Sequence, residues 1–154
     1  MTNLIEIKGL RKEFITKNQT LFQREEKFLA VNEFNLSIKK GEIIGLIGDS
    51  GSGKSTIGRM ILQLISPTAG EVIYDGKDIT KLSHKQLKPY YQKMQIIFQD
   101  SASSFNPRRT IGDQIVTPML RLGVVETREE AIDEVFSLLR RVGLKQEHFN
   151  RYPH

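Results

Sequence analysis

The sequence predicts an α/β fold, and three adjoining features predict it. The run IIGLIG at 43–48 is apolar on both faces, as in a central parallel strand that helices cover on both sides. A glycine-rich loop follows this run. The segment STIGRMILQLI then places apolar residues with the spacing of a buried helix stripe, at 57, 60, 61, 64 and 65. Strand, loop and helix therefore follow one another directly.

Length and composition agree with one globular domain. The chain has 154 residues, 38% of them apolar, which suits a packed core and excludes a disordered tail protein. The absence of Cys excludes disulfides, thiolate metal sites and cysteine nucleophiles. The longest apolar run is too short to cross a bilayer, and the N-terminal residues do not resemble a signal peptide, which predicts a cytosolic or membrane-peripheral protein.

The segments before the loop are predicted to be strands. Residues 4–8 and 34–38 have strand-type patterns, and Lys39-Lys40-Gly41 is predicted to be a turn that leads into a buried strand, Ile43 to Ile47.

The segments after the loop continue the alternation of strands and helices. Asp75-Gly76 between two short β-type runs predicts a hairpin. The polar connection 82–93 is predicted to be helical, and QIIF at 95–98 is predicted to be the next buried strand.

Two helices are predicted in the last third of the chain, at 110–123 and 127–143. Each begins with a capping pattern, Thr110 with Asp113 and Thr127 with Glu130, and each ends in Gly. The apolar face of the second helix is predicted at 132, 135, 136, 139 and 142. The final segment, 144–154, is predicted to be short and turn-like.

The sequence GDSGSGKST at 48–56 matches the Walker A pattern G-x-x-x-x-G-K-[ST] in the expected context of a strand before it and a helix after it. Its glycines allow successive N–H groups to face phosphate oxygens, and the following helix adds its positive end. Lys54 would bring a full charge to the β- and γ-phosphates, and the Ser55 hydroxyl would bind Mg²⁺. The predicted nucleotide-binding residues are Gly48, Asp49, Ser50, Gly51, Ser52, Gly53, Lys54, Ser55 and Thr56.

A second acidic site for Mg²⁺ is not evident in the residues. Hydrolases of this type need an Asp at the end of a second buried strand. Asp75 belongs to a predicted tight hairpin, and Asp100 is separated from its apolar run by Gln99. From the residues alone, the chain is expected to bind a nucleotide without the groups that split it.

At GDSGSGKST, QIIFQD and RYPH the chain resembles the N-terminal portion of an ATP-binding cassette (ABC) transporter ATPase. The segment QDSASSFNPRRTIGDQI at 99–115 resembles the oligopeptide, dipeptide and nickel importer subgroup. The resemblance implies a truncated P-loop NTPase fold with an antiparallel β flank and the start of a helical subdomain. It implies a nucleotide-binding core with a β subdomain at 1–99, from the Walker A motif to the Q-loop, and a partial helical subdomain at 100–154 that ends before the signature motif.

The resemblance also assigns roles to single residues. Gln99 matches the Q-loop glutamine, whose amide oxygen approaches Mg²⁺ and the attacking water; a solvent-facing glutamine at a strand end is the alternative. Lys54 and Gln99 are therefore the predicted catalytic residues, and Ser55 and Gln99 the predicted metal ligands. The family stacks adenine on an aromatic residue, here Phe14 or, second, Phe28, although core packing explains such a Phe equally well.

The resemblance implies that the full-length parent hydrolyses ATP and couples this to oligopeptide or dipeptide uptake. The implied cofactors are ATP and Mg²⁺. The fragment alone is expected to lack hydrolysis. The implied partners are transmembrane permease subunits, a second ATPase subunit and, indirectly, an extracellular binding protein, at the cytoplasmic face of the membrane. His154 does not match the family's switch His by position, and His84 and His148 are expected at the surface.

The alternatives to a peptide importer are a nickel importer, a non-catalytic nucleotide-binding module and, last, an ATPase acting on DNA. Scattered basic residues argue against nucleic acid despite a net charge of +5.

Overall fold

A computed structural model describes residues 3–16, 26–100 and 104–154. The chain forms two compact units, Met1–Leu87 and Lys88–His154. The first unit is built on a β-sheet and the second on helices. The predicted functional division after residue 99 stays a prediction.

The first unit contains a four-stranded antiparallel sheet in the order β2-β1-β3-β4. Ile7 on β1, an inner strand, pairs with Leu36 on one side and Val72 on the other, and its side chain is buried. The predicted strands at 4–8 and 34–38 are confirmed as parts of longer strands. The strands are β1 Asn3–Thr16, β2 Glu26–Lys39, β3 Ala69–Tyr74 and β4 Lys77–Asp78.

The predicted hairpin joins β3 and β4. Asp75 and Gly76 both have positive φ, +48° and +77°, which the tight turn between two antiparallel strands requires. The Asp75 N–H also donates to the Leu4 carbonyl at 2.8 Å, which ties the turn to β1. The hairpin prediction is confirmed.

The two predicted buried strands, 43–47 and 95–98, are wrong. Neither segment pairs with any strand in the described part of the chain. Ile43 and Ile47 are each 96% exposed, and Ile97 is 93% exposed. A fully apolar run matches the composition of a central strand, but its burial needs neighbouring strands and covering helices. The four described strands pair only with each other, and both runs are exposed.

Helix α1, Lys54–Ile61, begins at the predicted position and ends earlier than predicted. Its buried residues are Ile57 and Met60, in agreement with the predicted stripe. After the C-cap at Leu62 the chain leaves the helix with Gln63 at φ +54°, so Leu64 is 47% exposed. Helix α2, His84–Tyr91, confirms the helix predicted at 82–93.

The second unit contains α3, Ile111–Leu122, and α4, Arg128–Arg141, as predicted. The Thr110 side chain accepts from the Asp113 N–H, and Thr127 forms a full capping box with Glu130. A 3-10 turn, Gln146–Asn150, follows α4. No helix within 3–16, 26–100 and 104–154 has the length and apolar character that crossing a membrane requires.

The core of this unit lies between the two helices and the 3-10 turn, where the Phe149 ring meets the Phe136 ring edge to face at 5.3 Å. One predicted core residue of α4 is wrong, because Val142 is the C-cap and is 69% exposed; Ala131 is buried on that face instead. The buried residues of this core are Val116, Ala131, Val135, Leu139 and Phe149.

An ion pair joins the first turns of α3 and α4, and we expect it to make the stability of this unit pH-dependent. Arg128 donates to the Asp113 carboxylate at 2.5 Å, and this hydrogen bond holds the pKa of Asp113 below its ordinary value. The stabilisation is therefore complete above about pH 5 and is lost as the pH falls through the lowered pKa. Because the pair is exposed, we expect only about 0.5 kcal/mol. Thermal melts at pH 7 and pH 3 check this, and Asp113→Asn should remove that part of the pH dependence; an unchanged difference would contradict the assignment.

Candidate functional site

The glycine-rich loop lies between β2 and α1. A turn after β2 is closed by two bonds, from the Glu42 N–H to the Lys39 carbonyl at 3.1 Å and from the Lys39 N–H to the Glu42 carboxylate at 2.7 Å. Further on, the Ser52 N–H donates to the Asp49 carbonyl at 3.2 Å. Gly51 and Gly53 have φ of +83° and +90°, a conformation that glycine adopts far more readily than other residues. The loop is therefore folded back on itself just before α1.

Gly53 is constrained in a second way. A Cβ at this position would lie 2.5 Å from the Ala30 carbonyl oxygen and 3.1 Å from a Val31 methyl group. The end of the loop thus touches the backbone of β2 where any side chain would collide. The third glycine of the motif fixes where α1 begins on the sheet.

The N-terminus of α1 is open. Among the described residues no side chain caps it, and its first turn contains no acidic residue. Helices α3 and α4 are instead capped by Thr110 and Thr127. The first N–H groups of a helix lack intrahelical acceptors and carry a partial positive charge. The open end of α1 is therefore suited to an anion.

Lys54 adds a full charge at this open end. Its Nζ donates to the Gly48 carbonyl at 2.6 Å, to the Asp49 carbonyl at 2.5 Å and to the Ser52 hydroxyl at 3.2 Å. These bonds use all three ammonium donors and gather the loop around the cation. Lys54 thus organises the loop and supplies its positive charge.

The candidate metal ligand Ser55 lies in the first turn of α1 with an exposed side chain, and Thr56 beside it is half-buried. The part of the chain that the structure describes contains no group of three or more His, Asp or Glu residues arranged to hold a metal ion. A hydroxyl beside a phosphate site fits Mg²⁺, which takes one or two protein oxygens and completes its shell with phosphate and water. Ser55 is thus suited to Mg²⁺ that arrives with a nucleotide.

Gln99 lies in the exposed segment that follows the buried Met94. This segment belongs to the second compact unit, whereas the glycine-rich loop belongs to the first. An exposed amide is available to a ligand or to water alike. The role of Gln99 toward Mg²⁺ stays a prediction.

The two candidate adenine-stacking residues, Phe14 and Phe28, lie directly opposite each other on β1 and β2. They are 40% and 60% exposed, so both rings are available for contact. Strand β1 continues two residues past Phe14. The Lys12 Nζ lies 5.1 Å from the centroid of the Phe14 ring, which brings a cation to this aromatic pair.

Glu13, the residue before Phe14 on β1, forms an ion pair with Arg11. Arg11 donates to Glu13 at 2.6 Å, and this hydrogen bond holds the pKa of Glu13 below its usual range. The bond to Arg11 therefore favours the charged form of this carboxylate.

The remaining polar candidates take structural positions. Asp75 is in the β3–β4 turn, as predicted, and His84 and His154 are exposed. His148 is half-buried, and its Nδ1 lies 3.1 Å from the Lys145 N–H within the 3-10 turn. The sequence did not indicate this local bond.

The sequence predicted which residues form the loop but not what the loop packs against. Nothing in the pattern of β2 indicated that Ala30 and Val31 would contact Gly53, or that backbone carbonyls would bind Lys54. Both are contacts made by chain packing, for which residue type gives no signal.

The sequence profile of the ABC transporter family matches residues 31–154, so the chain belongs to this family. The structure is that of a P-loop ATP-binding cassette with an antiparallel sheet and helices. It superimposes with a TM-score of 0.76 and 26% identity on the dimeric ATP-binding cassette MJ0796 in a post-hydrolysis state bound to ADP and Pi, over 97% of this chain and 61% of that one.

Two curated relatives carry names of peptide transport. The chain is 42% identical to the oligopeptide transport ATP-binding protein OppF of Bacillus subtilis (strain 168), over 98% of this chain and 48% of that protein. It is 43% identical to the dipeptide transport ATP-binding protein DppF of Lactococcus lactis subsp. cremoris (strain MG1363), over 81% of this chain and 41% of that protein. The chain therefore spans about half the length of the curated relatives that it matches.

Proposed function

We propose that the chain is the nucleotide-binding portion of an ABC importer ATPase, and that the complete protein hydrolyses ATP to drive uptake of oligopeptides or dipeptides. The observation that carries the proposal is the glycine-rich loop gathered around Lys54 at the uncapped end of α1. Family membership and the peptide-transport names of the two relatives support the substrate class.

The proposed role of the loop is to position and neutralise the triphosphate. The first N–H groups of α1 and the Lys54 ammonium face the β- and γ-phosphates, where they favour the charge that builds up on the γ-phosphoryl oxygens. Ser55 and Gln99 would hold Mg²⁺, which when bound neutralises phosphate charge. Gln99 would also hold the attacking water by its amide. In this proposal Lys54 acts by position and charge and forms no covalent bond.

The aromatic pair Phe14 and Phe28 is the proposed adenine platform, with Phe14 as the first choice. Its support is the exposure of both rings and the cation of Lys12 beside Phe14. A flat apolar ring held on a strand stacks on a purine with little loss of side-chain entropy.

The proposed partners follow from transport. The complete protein would pair with a second ATPase subunit and with transmembrane permease subunits at the cytoplasmic face of the membrane, and would depend indirectly on an extracellular binding protein. The dimeric state of the structural relative supports the pairing. Exposed apolar runs at 43–47 and 96–98 support burial against further protein.

The proposal is tested by Mg-ATP calorimetry on this chain and by steady-state hydrolysis on the complete protein. We expect Lys54→Ala to weaken Mg-ATP binding at least about a hundredfold, because the positive charge beside the phosphates and the three bonds that hold the loop are lost. Lys40→Ala is the matched control, since it removes a lysine from the turn before the loop. Equal binding by wild type and Lys54→Ala would refute the assignment of the loop.

The main alternative is a nucleotide-binding module without catalysis. It is favoured by Asp75, which lies in a hairpin turn and not at the end of a buried strand. Lys54-dependent turnover by the complete protein would exclude this alternative, and binding without turnover would support it. Stimulation of that turnover by nickel and not by peptide would identify the nickel importer. Salt-sensitive binding of DNA would favour the DNA-acting ATPase.

A further inference from the structure

The side chain of Gln114 holds a turn of the chain against the first part of α3. Its Oε1 accepts from the Asn106 N–H at 2.6 Å. Its Nε2 donates to the Asn106 carbonyl at 3.2 Å and to the Arg109 carbonyl at 3.0 Å. One side-chain amide thus makes three hydrogen bonds to the backbone of residues 106–109, as the backbone of a neighbouring strand would.

The turn itself is closed by local bonds. The Arg109 N–H donates to the Asn106 carbonyl at 3.1 Å, and the Arg108 N–H donates to the Asn106 Oδ1 at 2.9 Å. Pro107 at the second position fixes φ for such a turn. The Arg109 guanidinium also reaches the Thr117 hydroxyl on α3 at 2.8 Å. The turn is preformed, and it is joined to α3 by two side chains, those of Gln114 and Arg109.

These side-chain bonds matter because the local bonds close the turn but do not attach it to α3. Residues 104–109 are exposed and belong to no strand. Four residues separate Gln99 from Ser104: Asp100 and residues 101–103. Of these, residues 101–103 lie outside the described ranges. Where residues 104–109 are held therefore limits where Gln99 can lie.

We propose that Gln114 is a positioning residue that acts through the 104–109 turn on Gln99. This inference rests on the proposed ATPase function and on the role of Gln99 in it. Gln114 fixes one end of the Gln99 segment to α3, so the amide of Gln99 is presented in a restricted range of positions. Removing the clamp leaves the phosphate loop intact and loosens only the residue that orients the attacking water. The expected signature is a lower kcat for ATP hydrolysis at an unchanged KM.

The test uses the complete protein with Mg-ATP and compares Gln114→Met with Gln92→Met. Methionine keeps the length and helix propensity of glutamine but makes none of the three bonds. Gln92 is the matched control, because its Nε2 donates to a single backbone carbonyl of α3, that of Leu122 at 2.6 Å. We expect Gln114→Met to lower kcat about tenfold, as for a small misplacement of a catalytic group, with KM changed less than about twofold. Gln92→Met should leave both constants unchanged.

Hydrogen exchange of residues 104–110 supplies a readout independent of activity. We expect the Asn106 and Arg109 amides to exchange about tenfold faster in Gln114→Met than in wild type, since the bonds that hold the turn are lost. Gln114→Glu keeps the bond from the Asn106 N–H and loses the two donated bonds, so it should be intermediate in both readouts. This second variant also serves if Gln114→Met fails to fold.

The outcomes separate this inference from the proposed function. Wild-type protein without Lys54-dependent turnover would overturn the proposed function, and with it the role of Gln114 in catalysis. If the wild-type protein turns over normally and Gln114→Met has an unchanged kcat, the inference alone is overturned. The same holds if KM for ATP rises as kcat falls in Gln114→Met. It also holds if Gln92→Met loses as much kcat as Gln114→Met. Unchanged exchange of the turn amides would show that Gln114 does not clamp the turn.

Discussion

Gly53→Ala should impair both the folding of the first unit and its binding of Mg-ATP. The residue has φ of +90°, where a side chain costs about 1–2 kcal/mol. Its new Cβ would also lie 2.5 Å from the Ala30 carbonyl oxygen, and a backbone atom cannot rotate away. Together we expect a loss of about 3 kcal/mol in the free energy of unfolding and a start of α1 displaced from β2. Denaturant unfolding and Mg-ATP calorimetry measure the two effects.

Gly51→Ala is the control for the Gly53 experiment. Gly51 has almost the same φ, +83°, but a Cβ there meets nothing within 4 Å. Its substitution should therefore show only the conformational cost of about 1–2 kcal/mol. The difference between the two variants measures the close approach of the loop to β2. If both variants lost equal stability and equal affinity for Mg-ATP, the contact with Ala30 would not help to position the loop.

Gly112→Ala should change the stability of the second unit with a sign that depends on residue 149. In the wild-type background the nearest atoms to a new Cβ all belong to the Phe149 ring, so the ring must shift from the core that it shares with Val116 and Phe136. Overpacking of this kind costs about 1–3 kcal/mol, more than the helix propensity of about 1 kcal/mol that alanine gains over glycine. We expect a net destabilisation.

The same change in a Phe149→Ala background should be stabilising. Phe149→Ala alone should cost about 3–5 kcal/mol, because a buried aromatic ring is removed. With the ring gone, the three nearest atoms no longer oppose a Cβ at Gly112, and the helix-propensity gain of about 1 kcal/mol remains. Urea unfolding of the four proteins completes a double-mutant cycle. If Gly112→Ala changed the free energy of unfolding equally in both backgrounds, the Phe149 ring would not pack against Gly112.

The sequence predicted features that depend on neighbouring residues in the chain. The caps at Thr110 and Thr127, the turn at Asp75-Gly76 and the helix after the glycine-rich loop are all present. In each case the determining residues lie close together in the chain, so the local pattern contains them. The Walker A pattern likewise predicted a loop before α1, but not the bonds of Lys54 to the Gly48 and Asp49 carbonyls.

The sequence failed where burial depends on distant parts of the chain. Ile47 and Ile97 have the character of buried strand residues, but neither pairs with a described strand and both are exposed. Val142 continues the stripe of α4 by spacing, but the helix has ended there. The clamp by Gln114 was missed for the same reason, because a glutamine eight residues from its acceptor has no recognisable pattern.

The open end of α1 also makes the folded state of the first unit depend on its surroundings. Helices α3 and α4 contain their own caps and are complete as folded. An anion at the N-terminus of helix α1 would supply that stabilisation. Folding of the unit and occupation of the proposed phosphate site would then be linked equilibria, and stability would rise with the logarithm of ligand concentration above the dissociation constant. A nucleotide bound at the proposed site would complete the helix end as well as occupy the site.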